Sequence, residues 1–159
     1  MRSSASIAGH PIHPMLVPIP IGLWVFAMVA DLMFIWGGNP AWKTVAFYCI
    51  AGGIVGAALA AVFGLIDLLG VKDTKVFRVG VMHGAFNVVA LLLFALNLYL
   101  RTDNGSQMVG PNSSVPLALS VIGVLILGVS GWLGGELVFR YGVGVNDRPE
   151  GDPSPEHSH

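Results

Sequence analysis

Several polar side chains that could bind a metal or move a proton lie inside or beside long apolar runs of this chain. The set comprises His10, His13, Asp67, His83, Glu136 and Arg140. Neutral imidazoles are ligands for haem iron and for iron, copper or zinc ions, and carboxylates can complete such a site. An ionisable group at membrane depth is costly, so these residues indicate a functional site.

The segment from Gly9 to Pro14 reads Gly-His-Pro-Ile-His-Pro. Because a proline ring disfavours helical geometry in the residue before it, both histidines are predicted to be extended and the first helix to begin after them. In an extended chain, residues three apart lie about 9 Å from each other, so one ion takes at most one of them. His13 is the preferred ligand because it leads directly into an apolar run, and His10 is its substitute. The alternative is a surface segment whose imidazoles cap helix ends or meet lipid headgroups.

His83 lies one helical turn before Asn87, a spacing that suits a hydrogen bond orienting the imidazole. The predicted metal ligands are His13 and His83 with the carboxylates Asp67 and Glu136, which could instead accept a hydrogen bond from a ligating histidine. The alternative for His83 is a neutral imidazole that only fastens helices together.

The carboxylates have their own alternatives. Glu136 could pair with Arg140 four residues on, and Asp67, close to Lys72, could be a charge at headgroup level. Asp31 is expected to meet water near the opposite end, with Lys43 as an available partner.

The elements that position these residues follow from composition. Of 159 residues, 54% are apolar and 11% charged, which indicates a membrane protein rather than a soluble domain. A spanning helix needs about 20 apolar residues, and four runs qualify: Met15 to Trp36, Val45 to Leu69, Val79 to Leu100 and Val115 to Phe139. Short connections predict an all-α, up-down-up-down four-helix bundle over residues 15–145.

Residues 1–14 are predicted to form an extended N-terminal segment and residues 146–159 a disordered tail. Small residues recur at every fourth position in the second run: Gly52, Gly56, Ala60 and Gly64. They predict close helix packing, as do the shorter pairs Gly80/Gly84 and Gly131/Gly135. Glycines near the histidines could also make room for a flat cofactor.

Lys and Arg are unevenly distributed over the two sides of such a bundle. One side carries Arg2, Lys72, Lys75, Arg78, Arg140 and Arg148, and the other carries Lys43 and Arg101. The positive-inside rule therefore predicts both termini in the cytoplasm. The same topology brings His13, Asp67, His83 and Glu136 to the cytoplasmic end.

Further motifs accompany the histidines: a Pro-Ile-Pro-Ile-Gly-Leu-Trp run after Val17, Gly-Trp-Leu-Gly-Gly-Glu-Leu-Val from Gly131, and Tyr-Gly-Val-Gly-Val from Tyr141. Together with the opening motif, they resemble the bacterial membrane-protein family called domain of unknown function 2231, over Gly9 to Val145. The resemblance implies a four-helix protein of the bacterial inner membrane and supplies no reaction. Some relatives carry Rieske or cytochrome-like modules, which implies a redox setting; this chain has no such module.

Two hypotheses follow. In the first, His13 and His83, with His10 as substitute, bind b-type haem or a redox metal ion for electron transfer, while Arg78 and Arg140 meet haem propionates. In the second, the same groups line a proton- or ion-responsive cavity or serve helix packing alone.

The surroundings of such a site follow from the same reasoning. The expected environment is the lipid bilayer, with a redox protein or a second copy of the chain as partner. The charge balance excludes nucleic acid, since no basic stripe is present to neutralise phosphates. Without a nucleophile elbow, a phosphate loop or a His-Glu-x-x-His motif, the sequence favours a redox carrier or subunit over a stand-alone enzyme.

Overall fold

Four apolar helical segments dominate the computed structural model, which describes residues 3–102 and 114–145. In these residues a hairpin of two short strands, β1 (Ser6–Ile7) and β2 (His10–Pro11), precedes five α-helices and a π-helical turn. These are α1 (Ile12–Leu16), α2 (Pro18–Gly37), α3 (Ala41–Leu69), α4 (Thr74–Leu100), α5 (Ser114–Gly135) and the π turn Glu136–Arg140. The segments long and apolar enough to cross a membrane are Ile12–Gly37, Ala41–Leu69, Thr74–Leu100 and Ser114–Arg140. The predicted helical bundle is therefore confirmed.

Helix one begins earlier than the Pro rule predicts. His10 is extended in β2, as expected, but His13 is helical because α1 starts at Ile12. Pro14 lies in the first turn of α1, where the missing N–H would have no helical acceptor anyway, so the ring is tolerated. The N–H of Val17 donates to the carbonyl of His13, and α2 continues from Pro18. The prediction that His13 is extended was wrong.

Helix α4 also begins earlier, at Thr74 rather than Val79. The side chain of Asp73 caps it by accepting hydrogen bonds from the backbone N–H groups of Lys75 (2.8 Å) and Val76 (3.0 Å). Arg78 therefore lies on α4, whereas the predicted third helix began one residue after it, at Val79. The sequence also predicts an exposed polar loop from Arg101 to Ser114, of which residues 103–113 lie outside the described residues, as does the predicted tail over 146–159.

The core at mid-bundle combines two aromatic rings with alanines and with the aliphatic side chains of Ile50 and Leu127. Trp24 and Phe94, both nearly fully buried, stack with ring centroids 4.3 Å apart and planes 12° apart. Adjacent helices in the sequence, α2 with α3 and α4 with α5, pack most extensively, and α3 with α4 and α2 with α5 close the bundle. Large apolar side chains cover the outer surface, including Trp132 (79% exposed) and Phe139 (91%), as expected for helices that face lipid.

The small-residue face of α3 packs as predicted. A methyl group added at Gly56 would lie 3.0 Å from Ile19, and one added at Gly52 would lie 3.2 Å from Leu23. The pairs on α4 and α5 behave differently, because Gly84 and Gly131 have open space beside them. Close packing at those two positions was wrongly predicted.

Candidate functional site

His13 and His83 meet at one end of the bundle, although 70 positions separate them in the sequence. Their ring centroids lie 6.2 Å apart and their planes are almost perpendicular, at 89°. Both side chains are half-buried. The predicted convergence of these two imidazoles is therefore present in the structure, and we refer to this end as the histidine end.

A backbone carbonyl of α3 orients His13. Its Nδ1 lies 2.8 Å from the carbonyl oxygen of Ala60. Since a carbonyl oxygen only accepts hydrogen bonds, Nδ1–H is the donor and Nε2 is the second ring nitrogen. Within residues 3–102 and 114–145, Nε2 of His13 has no hydrogen-bond partner.

His83 is held in the same way by α5 and carries an additional partner. Its Nδ1–H donates to the carbonyl oxygen of Ser130 at 2.9 Å, with the Ser130 hydroxyl oxygen 3.1 Å away. The amide Nδ2 of Asn87 donates to Nε2 at 3.0 Å and to the carbonyl of His83 at 2.9 Å. The predicted His83–Asn87 hydrogen bond is confirmed, and in these contacts Nδ1 is the donor and Nε2 the acceptor.

Two glycines make room for the rings. A methyl group at Gly64 would lie 2.9 Å from Cε1 and Nδ1 of His13, and one at Gly134 would lie 3.1 Å from Cε1 of His83. Such distances are shorter than ordinary carbon contacts. Each histidine thus lies in a notch where a neighbouring helix lacks a side chain.

Asp67 binds the N-terminal segment. One of its carboxylate oxygens, Oδ1, accepts hydrogen bonds from the hydroxyl of Ser3 (2.7 Å) and the backbone N–H of Ala5 (3.0 Å). The N–H of Ile12 in turn donates to the carbonyl of Ala5 at 3.0 Å. Asp67 therefore fastens the segment that leads into the strand hairpin.

The other predicted site residues are exposed, except for Glu136, which is partly buried. Glu136 accepts a hydrogen bond from Arg140 at 2.6 Å, which confirms the predicted pair. Arg78 is exposed, and so is His10, whose Nδ1 bonds to the carbonyl of Ala8 at 3.0 Å. In the part of the chain that the structure describes, no group of three or more His, Cys, Asp or Glu residues is placed to hold a metal ion.

A second polar cluster, which we call the ion-pair end, contains Asp31. Arg101 donates to Asp31 from Nη1 to Oδ1 at 2.8 Å and from Nη2 to Oδ2 at 2.6 Å. The hydroxyl of Ser120 also donates to Oδ2 at 3.1 Å, and Asn97 accepts from Nε of Arg101 at 2.8 Å. Both charged residues are more than 90% buried, so the expectation that Asp31 meets water was wrong.

From His13 to Asp31 the chain advances 18 residues, or about 27 Å along a helix. The two polar clusters therefore lie about one hydrocarbon thickness apart, with the stacked rings of Trp24 and Phe94 between them.

Sequence reasoning missed the residues that receive or cradle the polar side chains. They are Ala60, Gly134, Ser120 and Ser130, together with Arg101 as the partner of Asp31. One signal was present: His83, Ser130, Gly134 and Arg101 each follow His13, Ala60, Gly64 and Asp31 by 70 positions. Two of these pairs, His13 with His83 and Asp31 with Arg101, are in contact. The other two are equivalent positions: Ala60 and Gly64 contact His13 as Ser130 and Gly134 contact His83.

Comparison with known proteins gives a family and no chemistry. Neither a curated protein nor a solved structure matches the chain. The family model described as "Predicted membrane protein (DUF2231)" matches residues 9–147, which include both histidines, both glycine notches and the buried ion pair. The chain therefore belongs to the DUF2231 family of predicted membrane proteins.

Proposed function

We propose that His13 and His83 together bind one transition-metal ion, either bare or as the iron of b-type haem, and that the protein carries electrons in the membrane. One observation carries this proposal: the two rings lie 6.2 Å apart while each gives its Nδ1–H to a backbone carbonyl. Metal-ligating histidines typically donate their second ring nitrogen in this way, which fixes the ring and leaves Nε2 for the metal.

The spacing suits one shared ion. With metal–nitrogen bonds of about 2 Å, two imidazoles on opposite sides of one ion have centroids roughly 6 Å apart. Imidazole nitrogen is a good ligand for iron, copper and zinc. Because Asp67 bonds to the N-terminal segment and Glu136 to Arg140, the imidazole pair is the core of the proposed site. Remaining coordination positions would go to water or to a porphyrin.

The exposed guanidinium groups of Arg78 and Arg140 support the haem form of the proposal. Arginine binds carboxylates by paired hydrogen bonds, and haem carries two propionates. Lys72, Lys75, Arg78 and Arg140 all belong to the histidine end, whereas Lys43 and Arg101 belong to the other. This asymmetry supports an inner-membrane orientation with the histidine end and both termini in the cytoplasm.

Purified protein in detergent tests the proposal. It is analysed for metals and for a Soret band as isolated, and again after separate incubation with Zn²⁺, Cu⁺ and hemin. We expect one equivalent of ion or haem, with binding reduced at least tenfold in His13→Ala and in His83→Ala. His10→Ala is the matched control, since its imidazole lies on the exposed hairpin, and it should bind normally. Binding that is absent, or that survives loss of both His13 and His83, would contradict the proposal.

One observation favours a second candidate, a proton-responsive pair. Asn87 donates to Nε2 of His83, so a proton arriving at that nitrogen requires the amide to turn and present its oxygen instead. Two neighbouring imidazoles that exchange protons in this way could form a relay. Imidazole ¹⁵N spectra recorded between about pH 5 and pH 8 would reveal the relay as coupled protonation of His13 and His83. Two neutral rings throughout that range would exclude it.

A further inference from the structure

Three pairs of residues, each separated by 70 positions, meet across the bundle. His13 faces His83, Trp24 stacks on Phe94, and Asp31 binds Arg101. The first member of each pair belongs to the segment Ile12–Gly37, and the second lies on α4 or directly after it. Residues i and i+70 can meet at three successive levels only if the two segments are parallel. They face each other at each level if a half-turn about an axis between the segments relates one to the other.

Contacts inside each helical hairpin repeat with the same spacing. His13 bonds to the carbonyl of Ala60 and His83 to that of Ser130, each 47 positions later. The glycine notches for the histidines, Gly64 and Gly134, are also 70 positions apart. Gly53 and Gly123, which lie against the central rings, are 70 positions apart as well. A methyl group added at Gly53 would lie 2.3 Å from Trp24, and one added at Gly123 would lie 2.6 Å from Phe94.

Helix packing follows the same rule. In the repeat, α2 is equivalent to α4 and α3 to α5. The α2–α3 contact then has the α4–α5 contact as its equivalent, and the α3–α4 contact has the α2–α5 contact; all four are present. A pseudo-twofold axis therefore runs along the bundle, between the members of each pair.

The repeat identifies which equivalent positions differ. Asn87, which donates to Nε2 of His83, corresponds to Val17 in the first half, whose side chain has no donor. Nε2 of His13 accordingly has no hydrogen-bond partner in the two described stretches of chain. The two imidazoles share the same carbonyl anchor and the same glycine notch, and differ in this one amide.

We infer that the chain is a duplicated helical hairpin whose imidazoles have diverged: His13 offers an open Nε2 as the first ligand atom, and Asn87 controls whether His83 joins it. This inference rests on the proposed metal or haem site. A ligand reaching His83 must displace the amide, whereas His13 is available without rearrangement. Asn87 is thus a positioning residue for the second ligand.

Exchanging the two side chains tests the inference. With Zn²⁺ and with hemin as probes, Val17→Asn should weaken binding about tenfold, since the new amide competes for Nε2 of His13. Asn87→Val should strengthen it by a similar factor, because no hydrogen bond must then be broken. Val17→Ala, which adds no donor, is the control and should match the unmodified protein. Equal binding by Val17→Asn and Val17→Ala would overturn the inference while leaving the proposed site intact.

A readout without any ligand separates the two proposals. Imidazole ¹⁵N spectra of the apoprotein should show Nε2 of His83 hydrogen-bonded and Nε2 of His13 free. Val17→Asn should shift the His13 signal alone, and Asn87→Val the His83 signal alone. If the two nitrogens are equivalent in the unmodified protein, the inference fails, even if metal binding is confirmed. If the spectra agree but neither probe binds, the asymmetry stands and the metal site does not.

Discussion

Arg101 and Asp31 form a two-point ion pair, with N–O distances of 2.8 and 2.6 Å, that is almost completely buried in the bundle. Breaking a buried pair leaves one charge without compensation, which costs about 3–5 kcal/mol. We therefore expect Arg101→Ala to lower the free energy of unfolding in detergent by about that amount. The double variant Asp31→Leu with Arg101→Met should recover most of the loss, because it removes both charges.

A matched control for this prediction exists on the same chain. Arg140 also bonds to a carboxylate, that of Glu136, but its side chain is 71% exposed. Exposed pairs four residues apart in a helix contribute roughly 0.3–0.5 kcal/mol, so Arg140→Ala should change stability little. If Arg101→Ala and Arg140→Ala lower the free energy of unfolding equally, the buried contact with Asp31 stabilises the fold no more than the exposed pair does.

Gly64 and Gly84 differ in the space beside them, so replacing each with alanine should have opposite effects on stability. Gly64→Ala would place a methyl group 2.9 Å from the His13 ring, whereas nothing lies within 4 Å at Gly84. Overpacking costs about 1–3 kcal/mol, while a tolerated Gly→Ala change stabilises by about 0.4–1 kcal/mol. In denaturant unfolding, the midpoint concentration should therefore fall for Gly64→Ala and rise for Gly84→Ala. A stabilising Gly64→Ala would mean that His13 does not occupy this notch.

Asp67 should control the order of the N-terminal segment. Asp67→Ala removes the acceptor shared by the Ser3 hydroxyl and the Ala5 N–H. A hydrogen bond to a charged group contributes about 1.5–3 kcal/mol, so protease cleavage before α1 should accelerate by about tenfold or more. Glu136→Gln, at the same end of the bundle, serves as control and should leave that cleavage rate unchanged. An unchanged rate in Asp67→Ala would contradict the anchoring role.

Apolar run length and the turn residues were sufficient to predict four helices and the end at which His13 and His83 meet. An i,i+4 spacing was likewise sufficient for the Asn87–His83 and Glu136–Arg140 contacts, because both are formed within one helical turn. Local rules misplaced the start of helix one, since tolerance of Pro14 depends on its position in the first turn.

The partner of Asp31 could not be predicted from local sequence. Arg101 lies 70 positions away and directly follows α4, which is diagonal to α2. From the sequence, Arg101 was counted among the charges of one membrane surface and Asp31 was expected to meet water. The backbone carbonyls that orient the imidazoles leave no trace in residue type either. The one sequence feature that relates these partners is the recurring 70-residue spacing. That spacing is recognisable as a repeat once the packing of Trp24 on Phe94 is known.

The stability of the fold should depend on pH through Asp73, which caps the start of α4. Hydrogen bonds from the N–H groups of Val76 and Lys75 hold the pKa of its carboxyl below the usual value. A carboxyl whose pKa is lower in the folded state stabilises the fold above its unfolded pKa, and this contribution is lost as pH falls through the folded pKa. Thermal midpoints in detergent should therefore decline between about pH 5 and pH 2. In Asp73→Asn the cap remains without a titrating group, so the decline should be shallower, and identical profiles for the two proteins would contradict the assignment.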